Sequence, residues 1–147
     1  MGSNPPPTPN LKQTVPFFAV ADIARSVTYY VDGLGFTQTL EWAPEGQVRW
    51  CWLERDGVAL MLQETSPDGH GVPVPSGKPG AGVTICVICE DALAFYREVT
   101  ARGLQAARPF VGNHMWVTSL TDPDGYRLDF ESLTDAPEES VYEDPAE

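Results

Sequence analysis

Few side chains in this sequence could do chemistry: its 147 residues include two histidines and three cysteines. Cys86 and Cys89 stand at the CxxC spacing that elsewhere holds zinc or a redox disulfide. Both lie in the apolar run Val83 to Cys89, which reads as a strand, and residues three apart on a strand point to opposite faces. Buried free thiols in a reducing compartment are therefore expected for both. His70 falls in a Gly/Pro-rich stretch where a solvated side chain is expected, whereas His114 opens a strand and could touch a ligand. Asp129 and Glu131 are the best candidates for proton transfer.

Four tryptophans could bind where these groups would react. Trp50 and Trp52 lie in the run Gln47 to Arg55, which Asp56-Gly57 separates from a second run, Val58 to Glu64. Asp-Gly between two such runs is a strong hairpin signal, and a two-residue turn pairs Arg55 with Val58, Trp52 with Met61 and Trp50 with Gln63. Paired residues share a side of the sheet, so Trp50, Trp52, Met61 and Gln63 form one face. The other face carries Cys51, Leu53, Leu60 and Leu62, a suitable floor for helices, with Arg49 and Glu64 as an exposed ion pair.

The elements that must position these residues come twice. Gly57 and Gly125 stand 68 positions apart, and the same offset carries Asp56 onto Asp124, Gly35 onto Gly103 and Asp22 onto Glu90, as an internal duplication would. In the first half, Val15 to Val20 reads as a strand. Asp22 caps a helix over Ile23 to Asp32, and Phe36 to Trp42, Gln47 to Arg55 and Val58 to Glu64 read as strands. The second half repeats the order with strand Gly82 to Ile88, helix Asp91 to Arg102, strand Gln105 to Phe110 and a hairpin from His114 to Ser132 turning at Asp122-Pro123-Asp124-Gly125. The expected fold is α+β, with two βαβββ modules at residues 14–64 and 81–133. A proline-rich arm at 1–13, a connector at 65–80 and an acidic tail at 134–147 flank them, the tail expected to be solvated.

Composition narrows the function classes. A chain of this length buries roughly 68–70% of its unfolded surface, enough for one real core. With 21 acidic against 9 basic residues the net charge is −12, which repels phosphate backbones and makes nucleic acid an improbable partner. No apolar run approaches the ~20 residues of a membrane helix, and no membrane partner is expected. The start lacks a basic-then-apolar leader, so the cytoplasm is the expected location.

The stretch VADIARSVTYYVDGLGF, Val20 to Phe36, resembles the first-helix signature of the vicinal oxygen chelate superfamily (glyoxalase, bleomycin resistance and dioxygenase proteins). TDPDGYRLDFES, Thr121 to Ser132, resembles its closing hairpin. The resemblance covers roughly Thr14 to Ser132. It implies curved sheets around a cavity, often completed by a second subunit, and in metal-dependent relatives one ligand on the first and one on the fourth strand of each module. Laid onto this chain those positions are Val15, Met61, Val83 and Asp129. One carboxylate with three apolar neighbours cannot replace the water shell of a hard divalent ion. A displaced site from Glu64, His114 and Glu131 is conceivable, but nothing in the spacing requires it.

Because Met61 occupies a ligand-type position, Trp50 and Trp52 are expected to face the cavity, and alternation adds Phe17. In the second hairpin Leu120 pairs with Leu128, which turns Arg127, Asp129 and Glu131 inward; a one-residue slip would bring in Trp116 instead. The candidate ligand-binding residues are Phe17, Trp50, Trp52, Met61, Gln63, His114, Asp129 and Glu131, with no catalytic residue, metal or cofactor. Aromatic walls with carboxylates suit an aromatic or cationic small molecule, the alternative for Asp129 and Glu131 being a pair with Arg127 or Arg108. The resemblance is nearest in kind to the metal-free bleomycin resistance proteins, acidic homodimers that sequester a drug without chemistry, and so implies a homodimer and ligand sequestration. The alternative is a metal-dependent lyase, isomerase or dioxygenase with a displaced site.

Overall fold

The computed structural model describes residues 2, 4–5, 8–66 and 72–144; His70 lies outside them. The first module contains strand β1 (Phe17–Val20), helix α1 (Ile23–Thr28), which widens into a π-helical turn at Tyr29–Gly33, and strands β2 (Thr37–Trp42), β3 (Trp50–Arg55) and β4 (Val58–Glu64). The second contains β5 (Thr84–Ile88), α2 (Ala92–Ala101), β6 (Phe110–Gly112), β7 (Met115–Thr121) and β8 (Arg127–Leu133). Each module builds a four-stranded mixed sheet, ordered β1-β4-β3-β2 (sheet 1) and β5-β8-β7-β6 (sheet 2), so the fold is α+β with two βαβββ modules. Among the described residues, no helix is long and apolar enough to cross a membrane.

Local chemistry explains most of the boundaries. The Asp22 carboxylate accepts from the Arg25 N–H at 3.2 Å, and Asp91 accepts from the Leu93 and Ala94 N–H groups at 3.0 Å, so both helices start on a capping aspartate. Asp56 and Gly57 have φ of 51° and 83°, the two left-handed residues that a tight hairpin turn with strand-matched twist requires. The strand expected over Gln105 to Phe110 is not there; β6 begins at Phe110 and has three residues. Pro109 supplies no N–H to a ladder and pushes Arg108 away from regular pairing, and the contact before it is a long Ala107 N–H bond to the Ser119 carbonyl at 3.4 Å.

The acidic tail also departs from expectation. Val111 donates to the Ser140 carbonyl at 2.9 Å, and Glu138 accepts from the Asn113 and His114 N–H groups at 2.7 and 3.1 Å. Buried Tyr142 meets Trp116 and Tyr96 edge to face and accepts from Arg97. The acids Asp135, Glu138, Glu139 and Glu143 are exposed, as charge count implies, while Tyr142 and these bonds seat the segment against β6.

Each sheet turns one face to the interior. Phe18, Val20, Cys51, Leu53, Leu60 and Leu62 of sheet 1 and Leu120, Leu128 and Phe130 of sheet 2 belong to a single buried cluster, joined by Tyr30, Leu34 and Val99. Burying each large side chain contributes about 1.5–3 kcal/mol. The modules are clasped around it: Phe18 stacks on Tyr126 at 4.2 Å, and the Tyr30 hydroxyl donates to buried Asp122 at 2.7 Å. Arg55 makes two bonds to Glu98 at 2.6 and 2.9 Å while lying over the Phe95 ring. Because the inner rows of both sheets share one core, the opposite rows of both turn outward, away from it.

Candidate functional site

On the outward face of sheet 1, register fixes the neighbours. Phe17 pairs with Met61, Met61 with Trp52 and Trp52 with Leu40, giving one continuous row across four strands. The next row is Ala19, Gln63, Trp50 and Trp42. The hairpin register is the expected one, and Phe17, Trp50, Trp52, Met61 and Gln63 do come together. Leu40 and Trp42 join them because the ladder shifts by one residue between Gln38 and Leu40, which brings these two onto the face of Trp50 and Trp52. The face is open: Phe17, Leu40 and Trp42 are 46%, 58% and 55% exposed. The Trp52 indole donates to the Glu54 carboxylate at 2.7 Å.

The outward face of sheet 2 is of another kind. Its rows are Thr84, Arg127 and Thr121; then Cys86, Asp129 and Ser119; then Ile88, Glu131, Val117 and Phe110. Leu120 pairs with Leu128, so the expected register holds and Trp116 stays on the helix side with Tyr142. Asp129 is buried and satisfied from within its own sheet: Arg127 donates through Nε at 3.0 Å and Nη2 at 3.2 Å, and Ser119 through its hydroxyl at 2.8 Å. That pairing raises the pKa of the Arg127 guanidinium, bonding to Asp129 being the largest cause. Of the two roles open to Asp129, a free ligand-facing charge or a pair with Arg127, it takes the second.

Three further expectations change. Cys86 is exposed, because it lies on the row of Asp129; burial of its sulfur and then the Glu131 and Asp129 charges push its pKa up, leaving a protonated thiol. Cys89 is half-buried, so neither cysteine is the buried thiol expected. Val83 precedes β5 with the parity opposite to Cys86, so the β5 residues that share the face of Asp129 are Thr84, Cys86 and Ile88. His114 does not open a strand at a cavity rim: it is the second left-handed residue of the β6–β7 turn, φ 66°, its N–H held by Glu138.

Two cavities lie elsewhere. One of about 750 Å3 separates the modules near Phe36, Arg55, Phe95 and Phe130. Another of about 620 Å3 lies over Arg127, Ser119 and Thr121 with Phe110 and Tyr29. Neither is lined by Phe17, Trp50, Trp52, Met61 or Gln63, whose face is a platform open to solvent.

Residues 11–130 match the model of the Glyoxalase/Bleomycin resistance protein/Dioxygenase superfamily. The chain belongs to that superfamily. Its solved relatives include TioX from Micromonospora sp. ML1, at 21% identity over 84% of this chain and 99% of that one, TM-score 0.66. TnmS3, an antibiotic binding protein from Streptomyces sp. CB03234, is 19% identical over 84% and 98%, TM-score 0.61. A bleomycin-binding protein complexed with bleomycin is 20% identical over 84% and 100%, TM-score 0.63. Likeness at these identities is a likeness of fold. No curated protein matches the chain.

The metal that some superfamily members use does not fit these residues. Val15 and Met61 offer no hard donor, Asp129 is committed to Arg127 and Ser119, and the β5 position offers a hydroxyl or a protonated thiol. The displaced set fares no better: Glu64 is ion-paired with Arg49, as expected, and accepts from the Ile23 N–H at 3.1 Å, while His114 sits in its turn. Among the described residues, no three His, Cys, Asp or Glu gather where an ion could be held.

Proposed function

We propose that this superfamily member is a metal-independent binding protein that sequesters an aromatic or cationic small molecule on the outward face of sheet 1, with Phe17, Trp42, Trp50, Trp52, Met61 and Gln63 as contact residues. One observation carries the reading: three tryptophans and a phenylalanine share one sheet face, Phe17 and Trp42 about half exposed and Trp50 and Trp52 half-buried. Monomeric soluble proteins seldom leave such patches bare, and aromatic faces attract cations by about 0.5–2 kcal/mol. An antibiotic binding protein and a bleomycin-binding protein among the solved relatives point the same way.

In this reading a second copy closes the platform into a cavity, presenting the outward face of its sheet 2 with Glu131. The carrier is then a homodimer, and the cytoplasm is its place of action. Titration with N-methylquinolinium, a flat aromatic cation, tests the reading. The expected result is saturable quenching of tryptophan fluorescence that Trp50→Ala and Trp52→Ala each weaken about tenfold. Unchanged affinity in both variants would remove the platform from the site. Light scattering is expected to give twice the 16.1 kDa of one chain; the monomer mass at micromolar concentration would contradict the closed cavity.

A further inference from the structure

We infer that Glu54 makes the tryptophan platform selective for positively charged ligands, so that the ligand class is an aromatic ammonium or iminium and not a neutral aromatic. The inference rests on the binding reading above and assigns the charge-recognising group within it. Trp52 and Glu54 lie two apart on β3 and so on the same side of the sheet, and Glu54 pairs with Thr37 and Ala59 in the row next to Leu40, Trp52 and Met61. The bond from Trp52 Nε1 to Glu54 Oε1 at 2.7 Å uses the only polar donor of the indole. It holds the exposed carboxylate at the edge of the half-buried Trp52 ring, so the bond engages the ring's edge and not its face. A cation resting on that face then meets the π-cloud and a fixed carboxylate together.

The other acids are unsuited to this task. Asp129 is buried under Arg127 and Ser119. Glu131 stands on sheet 2 beside Cys86, so it meets the platform only from a second copy and makes no bond to a platform ring. Glu41 pairs with Cys51, so it points to the opposite side of sheet 1. Glu54 is the carboxylate that shares both the face and a direct bond with a platform tryptophan.

A matched pair of probes, N-methylquinolinium and its neutral isostere 1-methylnaphthalene, tests this by equilibrium dialysis against the full chain. Wild type is expected to bind the cation about tenfold more tightly than the hydrocarbon. Glu54→Gln is expected to cut that preference to about twofold by weakening the cation alone, and Glu41→Gln to leave it unchanged. Thermal unfolding of Glu54→Gln at the wild-type temperature confirms an intact fold. A preference that survives in Glu54→Gln, or equal binding of both probes by wild type, overturns the inference while the binding reading stands. If neither probe binds wild type, the binding reading falls and this inference with it.

Discussion

The two outward faces of this chain occupy equivalent places in a duplicated module and have opposite chemistry. On sheet 1, Phe17, Met61, Trp52 and Leu40 make an apolar row with no charge pair inside it. On sheet 2 the equivalent row is Cys86, Asp129 and Ser119, and its charge is cancelled by Arg127 two residues along the same strand. Sheet 1 keeps an aromatic row open, whereas on sheet 2 the central carboxylate is paired and the exposed apolar groups include the aliphatic Ile88 and Leu133. Duplication supplied two copies of a scaffold, and side-chain choice at a few register positions decided which copy presents aromatic rings and which a paired charge.

Breaking the comparison at its root means removing the core that both sheets share. Leu53→Ala on sheet 1 and Leu128→Ala on sheet 2 are fully buried changes, each expected to cost about 2–5 kcal/mol in urea unfolding. If the two losses appeared in separate transitions, the modules would not be the single cooperative unit that the common cluster implies. A smaller effect separates the faces. Asp129→Asn removes the charge partner of Arg127 and is expected to cost about 1–3 kcal/mol of stability. Arg127→Ala is expected to leave N-methylquinolinium affinity in the isolated sheet 1 platform within about twofold, against the tenfold loss in Trp50→Ala.

Acid sharpens the picture at the inter-module clasp. Bonding to Arg55 holds the Glu98 carboxyl below its ordinary value of 4.5. A depressed carboxyl contributes stability that is complete above its unfolded value and is lost as pH falls through its folded value. Glu98→Gln is therefore expected to flatten the loss of stability below about pH 4.5, by less than about 1 kcal/mol because both side chains are roughly a third exposed. An equally steep acid limb in the variant would assign that loss to other carboxylates. Trp42→Ala, at the rim of the platform, is expected to give the smallest effect on binding, about twofold.

Much of this was legible in the residues themselves. Asp56-Gly57 fixed the turn, and a fixed turn fixes every cross-strand pair, so Trp50, Trp52, Met61 and Gln63 could be placed on one face without coordinates. Asp122-Pro-Asp-Gly did the same for Asp129 and Glu131. The run Val83 to Cys89 offered no such anchor. It is apolar at nearly every position, so alternation could not set its parity, and only parallel pairing with β8 turns Cys86 outward and excludes Val83. Trp42 escaped because a one-residue ladder shift has no sequence mark here. The satisfaction of Asp129 by Arg127 depends on rotamers along one strand, which spacing permits and does not dictate.

Calorimetric titration of chelator-dialysed protein with N-methylquinolinium, repeated with Mn2+, Ni2+ or Zn2+ added, tests the central claim most directly. The account predicts the same affinity and stoichiometry in every case, and loss of the heat in a Trp50→Ala, Trp52→Ala double variant. Binding that appears only after a metal is added, or that persists in the double variant, would contradict it.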